Sequence, residues 1–337
     1  MPFPLGEWID RHPGCRHDLA QSGMRGSIPP PMPSAAELRA ADEEELRGHL
    51  ANDLKVDRGR VFLTTGASAA NALVVLFLAR GHRRVAAPTC RVAYPEYPPL
   101  FDIAREAGFR LTSDDGPVEL AVISQPRNPE GDLWERSRFR EWSARSRHLL
   151  VDETFREFAG SRSLVEEDHP GLWATGSFTK FYAGDHLRLG FLVAPEEAES
   201  EFAKFHGLVA NELSPFAVAG ATRALRDRER VRRQVRSILA PNVAALRTGL
   251  PHVVPPRSPI AFDRLPRGDT GDGLARRALR ASVLVCSGSF FGDPAGVRLC
   301  LTRPSFPTDL AAYLAVRSRR SRSVRPRREA RRTRRRR

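Results

Sequence analysis

Ser177-Phe178-Thr179-Lys180, followed by Leu187-Arg188-Leu189-Gly190, decides how this chain is read. Lysine occurs only at Lys55, Lys180 and Lys204, although Lys and Arg together number 54 in 337 residues. Wherever a plain positive charge suffices, the sequence uses Arg. A lysine kept against that bias points to a role that Arg cannot fill. Arg stays protonated at any accessible pH, whereas a desolvated Lys can lose its proton and form an imine with a carbonyl. The Ser177 hydroxyl and the Arg188 guanidinium beside it suit an anion such as a phosphate. An incidental surface lysine after a strand is the plainer alternative, and the neighbouring motifs weigh against it.

Outward from this stretch, strand-like and helix-like runs alternate. Strands are expected at 61–64, 84–87, 120–124, 148–151, 172–176 and 189–194, and helices at 37–54, 69–79, 97–107 and 136–146. That alternation predicts an α/β fold, with a mostly parallel sheet covered on both faces. A helical stretch follows at 196–246, with breaks expected at Pro215 and Pro241. Short strand-like runs at 282–286 and 297–301, set between helical segments, predict a smaller α+β unit. The expected organisation is an N-terminal arm (1–37), a large domain (38–210), a small domain (211–316) and an Arg-rich tail (317–337).

The formal net charge of +14 belongs mostly to that tail, where 13 Arg and one Glu contribute +12. With few apolar residues the tail cannot bury enough surface to offset its ordering entropy, so disorder is expected. The rest of the chain is nearly neutral. It makes no case for nucleic acid beyond nonspecific binding through the tail. The longest apolar run, 69–79, contains Asn71 and is too short to span a bilayer. The N-terminus has no basic start and no apolar core, and the four Cys lack C-x-x-C spacing. A reduced, cytoplasmic protein is therefore expected, with no metal site.

Four pieces fall at the C-terminal ends of predicted strands, where open α/β sheets place their sites. Gly66-Ala67-Ser68 opens a helix whose backbone N–H groups can meet a phosphate. Asn128 lies in Asn128-Pro129-Glu130-Gly131, a turn signal whose side chain can donate to a phenolate-type oxygen. Asp152 follows Leu149-Leu150-Val151 and can keep a pyridinium nitrogen protonated by ion pairing. The fourth piece is Ser177 to Lys180 with Arg188. Each alone has a structural reading as a turn, cap or loop. The order and spacing of all four together are far more specific.

Across roughly 38–314 the chain resembles the fold-type I pyridoxal-phosphate enzymes, specifically the class I/II aminotransferases and their compact branch with histidinol-phosphate aminotransferase and phosphothreonine decarboxylase. The resemblance implies pyridoxal 5'-phosphate held by Lys180 as a Schiff base. It implies Asp152 on the ring nitrogen and Asn128 on the phenolic oxygen. Gly66, Ala67, Ser68, Ser177 and Arg188 would hold the phosphate. Tyr94 would stack on the ring, with Tyr97 as second choice, and Arg298 in Gly296-Val297-Arg298 would clamp the substrate carboxylate. It also implies a homodimer taking a small-molecule amino donor and a keto acceptor.

Three departures stand out. Phe155 replaces the family's tyrosine three residues after the Asp, no arm tyrosine matches in 35–45, and Asp18-Leu19-Ala20-Gln21-Ser22-Gly23 replaces the usual substrate loop. Transamination of an amino acid or amino-phosphate is the leading expectation. Decarboxylation or a lyase reaction on the same fold is the alternative, and a non-catalytic role comes third.

Overall fold

The computed structural model describes residues 4–82, 87–167, 169–210 and 212–319. The segment expected as an arm carries a short helix, α1 (Pro4–Asp10), and a two-residue strand, β1 (His17–Asp18). The charged run 37–54, expected as one helix, forms two: α2 (Ala35–Arg39) and α3 (Glu43–Leu54). Ser34 and Glu37 close a capping box on α2, and the Asp42 carboxylate caps α3 by accepting from Glu44 N. An N-cap side chain holds the chain in extended backbone and so interrupts helix.

The alternating region then runs β2 (Val61–Thr64), α4 (Ala67–Ala79), β3 (Thr89–Val92), α5 (Pro98–Glu106), β4 (Arg110–Thr112), β5 (Val118–Ser124), α6 (Arg136–Ala144), β6 (Ser146–Asp152), α7 (Arg156–Ala159), β7 (Leu172–Ser177) and β8 (Gly190–Val193). Of the strand expected at 84–87, residues 84–86 lie outside the described residues, and the strand found nearby is β3. These seven strands form one sheet in the order β2-β8-β7-β6-β5-β3-β4. β8 is antiparallel to both neighbours, and the other pairings are parallel.

The sheet is apolar on both faces, as a parallel sheet requires. Along β5, Leu120 and Val122 pack into a cluster with Val74, Phe77 and Phe202. Their neighbours Ala121 and Ile123 point into the opposite cluster, with Phe139 and Trp142. Trp173 on β7 is fully buried against α4 and Phe202.

Helices α8 (Glu199–Val209), α9 (Pro215–Arg226) and α10 (Arg228–Gly249) follow. Pro215 begins α9, as expected of a first-turn proline, but Pro241 lies inside α10 and does not end it. The helix is pinned one residue later, where Asn242 Nδ2 donates to Leu301 O and Arg303 O at 2.7 and 2.8 Å. The remaining elements are β9 (Ile260–Arg264), α11 (Gly271–Arg280), β10 (Val283–Leu284), β11 (Cys286–Ser287), β12 (Gly296–Cys300) and α12 (Phe306–Arg317). β11, β12 and β9 make a three-stranded antiparallel sheet, and β1 pairs in parallel with β10. Residues 320–337, and with them nearly all of the expected tail, lie outside the described residues. Among the described residues no helix is long and apolar enough to cross a membrane.

Candidate active site

A cavity of about 220 Å³ opens at the C-terminal ends of β5, β6 and β7, between the start of α4 and the middle of β12. Nearly every candidate read from the sequence lines it: Gly66, Ala67, Ser68, Asn128, Asp152, Phe155, Ser177, Lys180, Arg188 and Arg298. Of the three lysines, only Lys180 is there. Lys55 pairs with Glu166 with its side chain 60% exposed, and Lys204 is on the surface. Burial is the main cause of a Lys180 pKa below the ordinary lysine value. Asp185 opposes the shift, and Arg298 adds to it.

At one end, α4 starts at Ala67 after Gly66, whose φ of 99° favours glycine. Among the described residues no side chain caps this helix, so its first N–H groups can meet an anion. The Arg188 guanidinium reaches over the same point, since a Cβ on Gly66 would sit 4.0 Å from its Nη2. The Ser177 and Thr179 hydroxyls are 2.8 Å apart, and Ser177 Oγ also accepts from Thr179 N. Space here is set by backbone: a Cβ on Gly190 would lie 2.6 Å from Gly66 C and 2.7 Å from Ala67 N.

At the other end, Asp152 closes β6. Its Oδ2 accepts from Asn71 Nδ2 and its Oδ1 from Thr154 N, both at 2.9 Å. Asn71 is fixed in turn by accepting from Thr175 Oγ1 at 2.7 Å. Sequence reading missed Asn71 and Thr175. The available signal was a polar residue inside the apolar run of α4.

Asn128 Oδ1 accepts from Arg298 Nη1 at 3.3 Å, which leaves the amide Nδ2 to donate elsewhere. Arg298 is 2% exposed on β12, and Nη2 also donates to Ala20 O at 3.3 Å. Its Nε is buried without a partner among the described residues, and the Phe291 ring covers its guanidinium at 4.8 Å. A buried guanidinium with long bonds and no carboxylate beside it is suited to an arriving carboxylate.

Tyr94 requires a correction. It lies outside the cavity, 41% exposed, with its ring on Phe101 and against Gly292. Tyr97, the second choice, lines the cavity, and burial together with the Asp152 charge pushes its phenol up to about 12. The turn between the two is set by Glu96. This buried carboxyl accepts from Ser124 N, Ser124 Oγ and Tyr97 N at 2.8, 2.6 and 2.6 Å. Phe155 lines the cavity and backs onto Ile260, Cys300 and Phe158.

Three lining residues come from the segment read as an arm: Leu5 and Ile9 on α1, and Ser22. Beside Ser22, Gly23 lies against Lys180, where a Cβ would stand 3.3 Å from Lys180 Cδ.

These features fit pyridoxal phosphate: an anion cup of helix N-terminus and Arg188, a fixed carboxylate at the opposite end, and a desolvated lysine between. The family model for aminotransferase class I and II matches residues 17–314. Capreomycidine synthase of Streptomyces vinaceus is 25% identical, with 92% of each chain covered. The aromatic amino acid aminotransferase of Corynebacterium jeikeium is 32% identical over 45% of this chain and 46% of its own. A pyridoxal-phosphate-dependent aminotransferase from Streptococcus suis has the same fold, with a TM-score of 0.76, 18% identity and coverage of 94% and 96%. The chain belongs to the class I and II aminotransferase family, and its cofactor is pyridoxal phosphate.

Proposed function

We propose that this enzyme moves an amino group between an amino acid and a keto acid on a cofactor bonded to Lys180. The cofactor supplies an electron sink for charge developing at the substrate α-carbon. The observation that carries the reading is the desolvated Lys180 sharing one cavity with Asp152, Arg188 and Arg298.

Arg188, Ser177 and the N–H groups of Ala67 and Ser68 would hold the phosphate. Asp152, kept in place by Asn71 and Thr154, would keep a ring nitrogen protonated. Asn128 Nδ2 would donate to the phenolic oxygen, and Tyr97 would cover the ring face. Arg298 would orient the substrate by its carboxylate. Lys180 Nζ, with its proton weakly held, would carry a proton to and from the α-carbon. Phe155 offers no hydroxyl, so Asn128 is the side-chain donor at the phenolic oxygen. We further propose a cytoplasmic homodimer, as is usual for the family.

Borohydride reduction of the yellow protein followed by peptide mapping should place the label on Lys180. A label on Lys55 or Lys204 would refute the assignment. Lys180→Arg keeps the charge but should load no covalent cofactor and be inactive. A second reading has one specific support: the relative sharing 92% coverage in both directions is named a synthase. In that case the same residues would serve a reaction other than transamination. Detection of keto acid from a donor amino acid separates the two readings.

A further inference from the structure

We propose that Asp185 recognises a cationic side-chain group, an ammonium or guanidinium, and that the enzyme's amino-acid substrates are basic. This rests on the reading of the cavity given above and names the substrate class of that site.

Asp185 lines the cavity together with Lys180, Arg188 and Arg298. Its Oδ2 is buried and has no hydrogen-bond partner among the described residues. A buried carboxylate oxygen left unsatisfied is costly, and a ligand donor is one way to offset that cost. The segment carrying it is held firmly. Leu187 N donates to Gly184 O at 3.0 Å and Gly184 N to Phe178 O at 3.1 Å. Ala183 and Arg188, at φ of 52° and 49°, take a backbone shape that non-glycine residues keep only when their surroundings enforce it.

The assignment of charges in the cavity leaves this group over. Arg188 is matched by a cofactor phosphate, Arg298 by a substrate carboxylate and Asp152 by the ring nitrogen. Lys180 is taken up by its bond to the cofactor. No described cation remains for a second phosphate, which disfavours amino-phosphate substrates. One anion, Asp185, remains without a counterpart. The same cavity can also take the rest of such a substrate, because Leu5, Ile9 and Phe155 in its lining offer apolar surface to a methylene stem. The competing role for Asp185 is to hold Lys180 charged, and that role would not distinguish one side chain from another.

The test uses full-length, cofactor-loaded protein and calorimetric binding at neutral pH. L-Ornithine, L-lysine and L-arginine are compared with L-norvaline and L-norleucine. At least one basic amino acid should bind about tenfold or more tightly than its neutral counterpart. Lysine should likewise outbind Nε-acetyl-lysine, which keeps the stem and loses the charge. Asp185→Asn should bring these ratios to within about twofold. Equal affinities in the wild type, or ratios that survive in Asp185→Asn, overturn the proposal. Equal wild-type affinities for the basic and neutral amino acids overturn the proposal even where the variant fails to fold. Reduction with borohydride separates the two levels. A Lys180 label without basic preference sinks this proposal alone, and no Lys180 label sinks the cavity reading with it.

Discussion

Glu96 lies directly behind the cavity wall, 2% exposed, and joins the end of β3 to Ser124 at the end of β5. Burial raises its carboxyl pKa to about 8, against three hydrogen bonds that favour the charged form, with the Asp152 charge adding to the rise. A folded pKa above the unfolded value means that the native state binds the extra proton. The associated stability is complete below an unfolded pKa of about 4.5 and is lost as pH rises toward 8. Glu96→Gln has no such proton to lose. Its stability relative to wild type should therefore climb by up to about 1.4 kcal/mol per pH unit across this window and flatten above it. Urea unfolding of both proteins across pH checks this, and parallel curves would mean that Glu96 titrates normally. At this scale the readable residues were those whose type and position together imply a chemical role. Lys180 stands in an Arg-biased chain, Asp152 follows three apolar strand residues, and Asn128 sits beside a proline turn. Asn71 was hidden because an apolar helix gives no hint of which polar side chain faces a carboxylate. Tyr94 was ranked ahead of Tyr97 because nothing in the sequence shows that Glu96 turns inward between them.

Among the elements, β7, β8 and the start of α4 meet so closely that glycine is required at their junction. A Cβ on Gly190 would come within 2.7 Å of Gly176 O as well as crowding the Gly66–Ala67 peptide. All three neighbours are backbone, so none can rotate away. Gly190→Ala should push the α4 N-terminus from its place beside Arg188. Cofactor affinity should fall by about tenfold or more, since the anion's fit to these N–H groups is lost, with about 1–3 kcal/mol of destabilisation from overpacking. Equilibrium dialysis of pyridoxal phosphate and a urea melt measure both, and wild-type cofactor affinity would show that the cup does not depend on this junction. The strands and helices of the alternating region were legible because burial on two faces imposes long apolar runs. Shorter pieces were not. α1 spans seven residues and β1 two, too few for a period to register, yet α1 brings Leu5 and Ile9 to the cavity. Pro241 misled for a related reason: the lost backbone bond is local, whereas the Asn242 bonds that hold the helix come from residues 59 and 61 positions away.

For the whole molecule, the question is where the fold ends and the basic tail begins. Arg317 is the last residue of α12, and its Nε and Nη2 donate to the two carboxylate oxygens of fully buried Asp263 at 2.6 and 3.0 Å. Tyr313 and His252 complete the set around that carboxylate. Beyond it, Ser318 N and Arg319 N bond only to the last carbonyls of α12 itself. Arg317 is therefore the last described residue whose side chain ties α12 to another element. Two changes, one at Arg317 and one beyond it, should behave oppositely. Arg317→Ala leaves the Asp263 charge short of its strongest partner and should cost about 3 kcal/mol, at the low end for a broken buried pair because Tyr313 and His252 remain. Deleting 318–337 removes 12 Arg and one Glu yet breaks no contact between described elements, so Tm and kcat should stay at wild-type values. What the deletion should remove is salt-sensitive retention on DNA. That retention comes from counterion release by clustered cations, and the rest of the chain is nearly neutral. Thermal melts, steady-state rates and elution from a DNA column across a salt gradient read the three quantities. Loss of turnover on truncation would show that the tail reaches the cavity, and unchanged DNA retention would move the basic surface into the folded part.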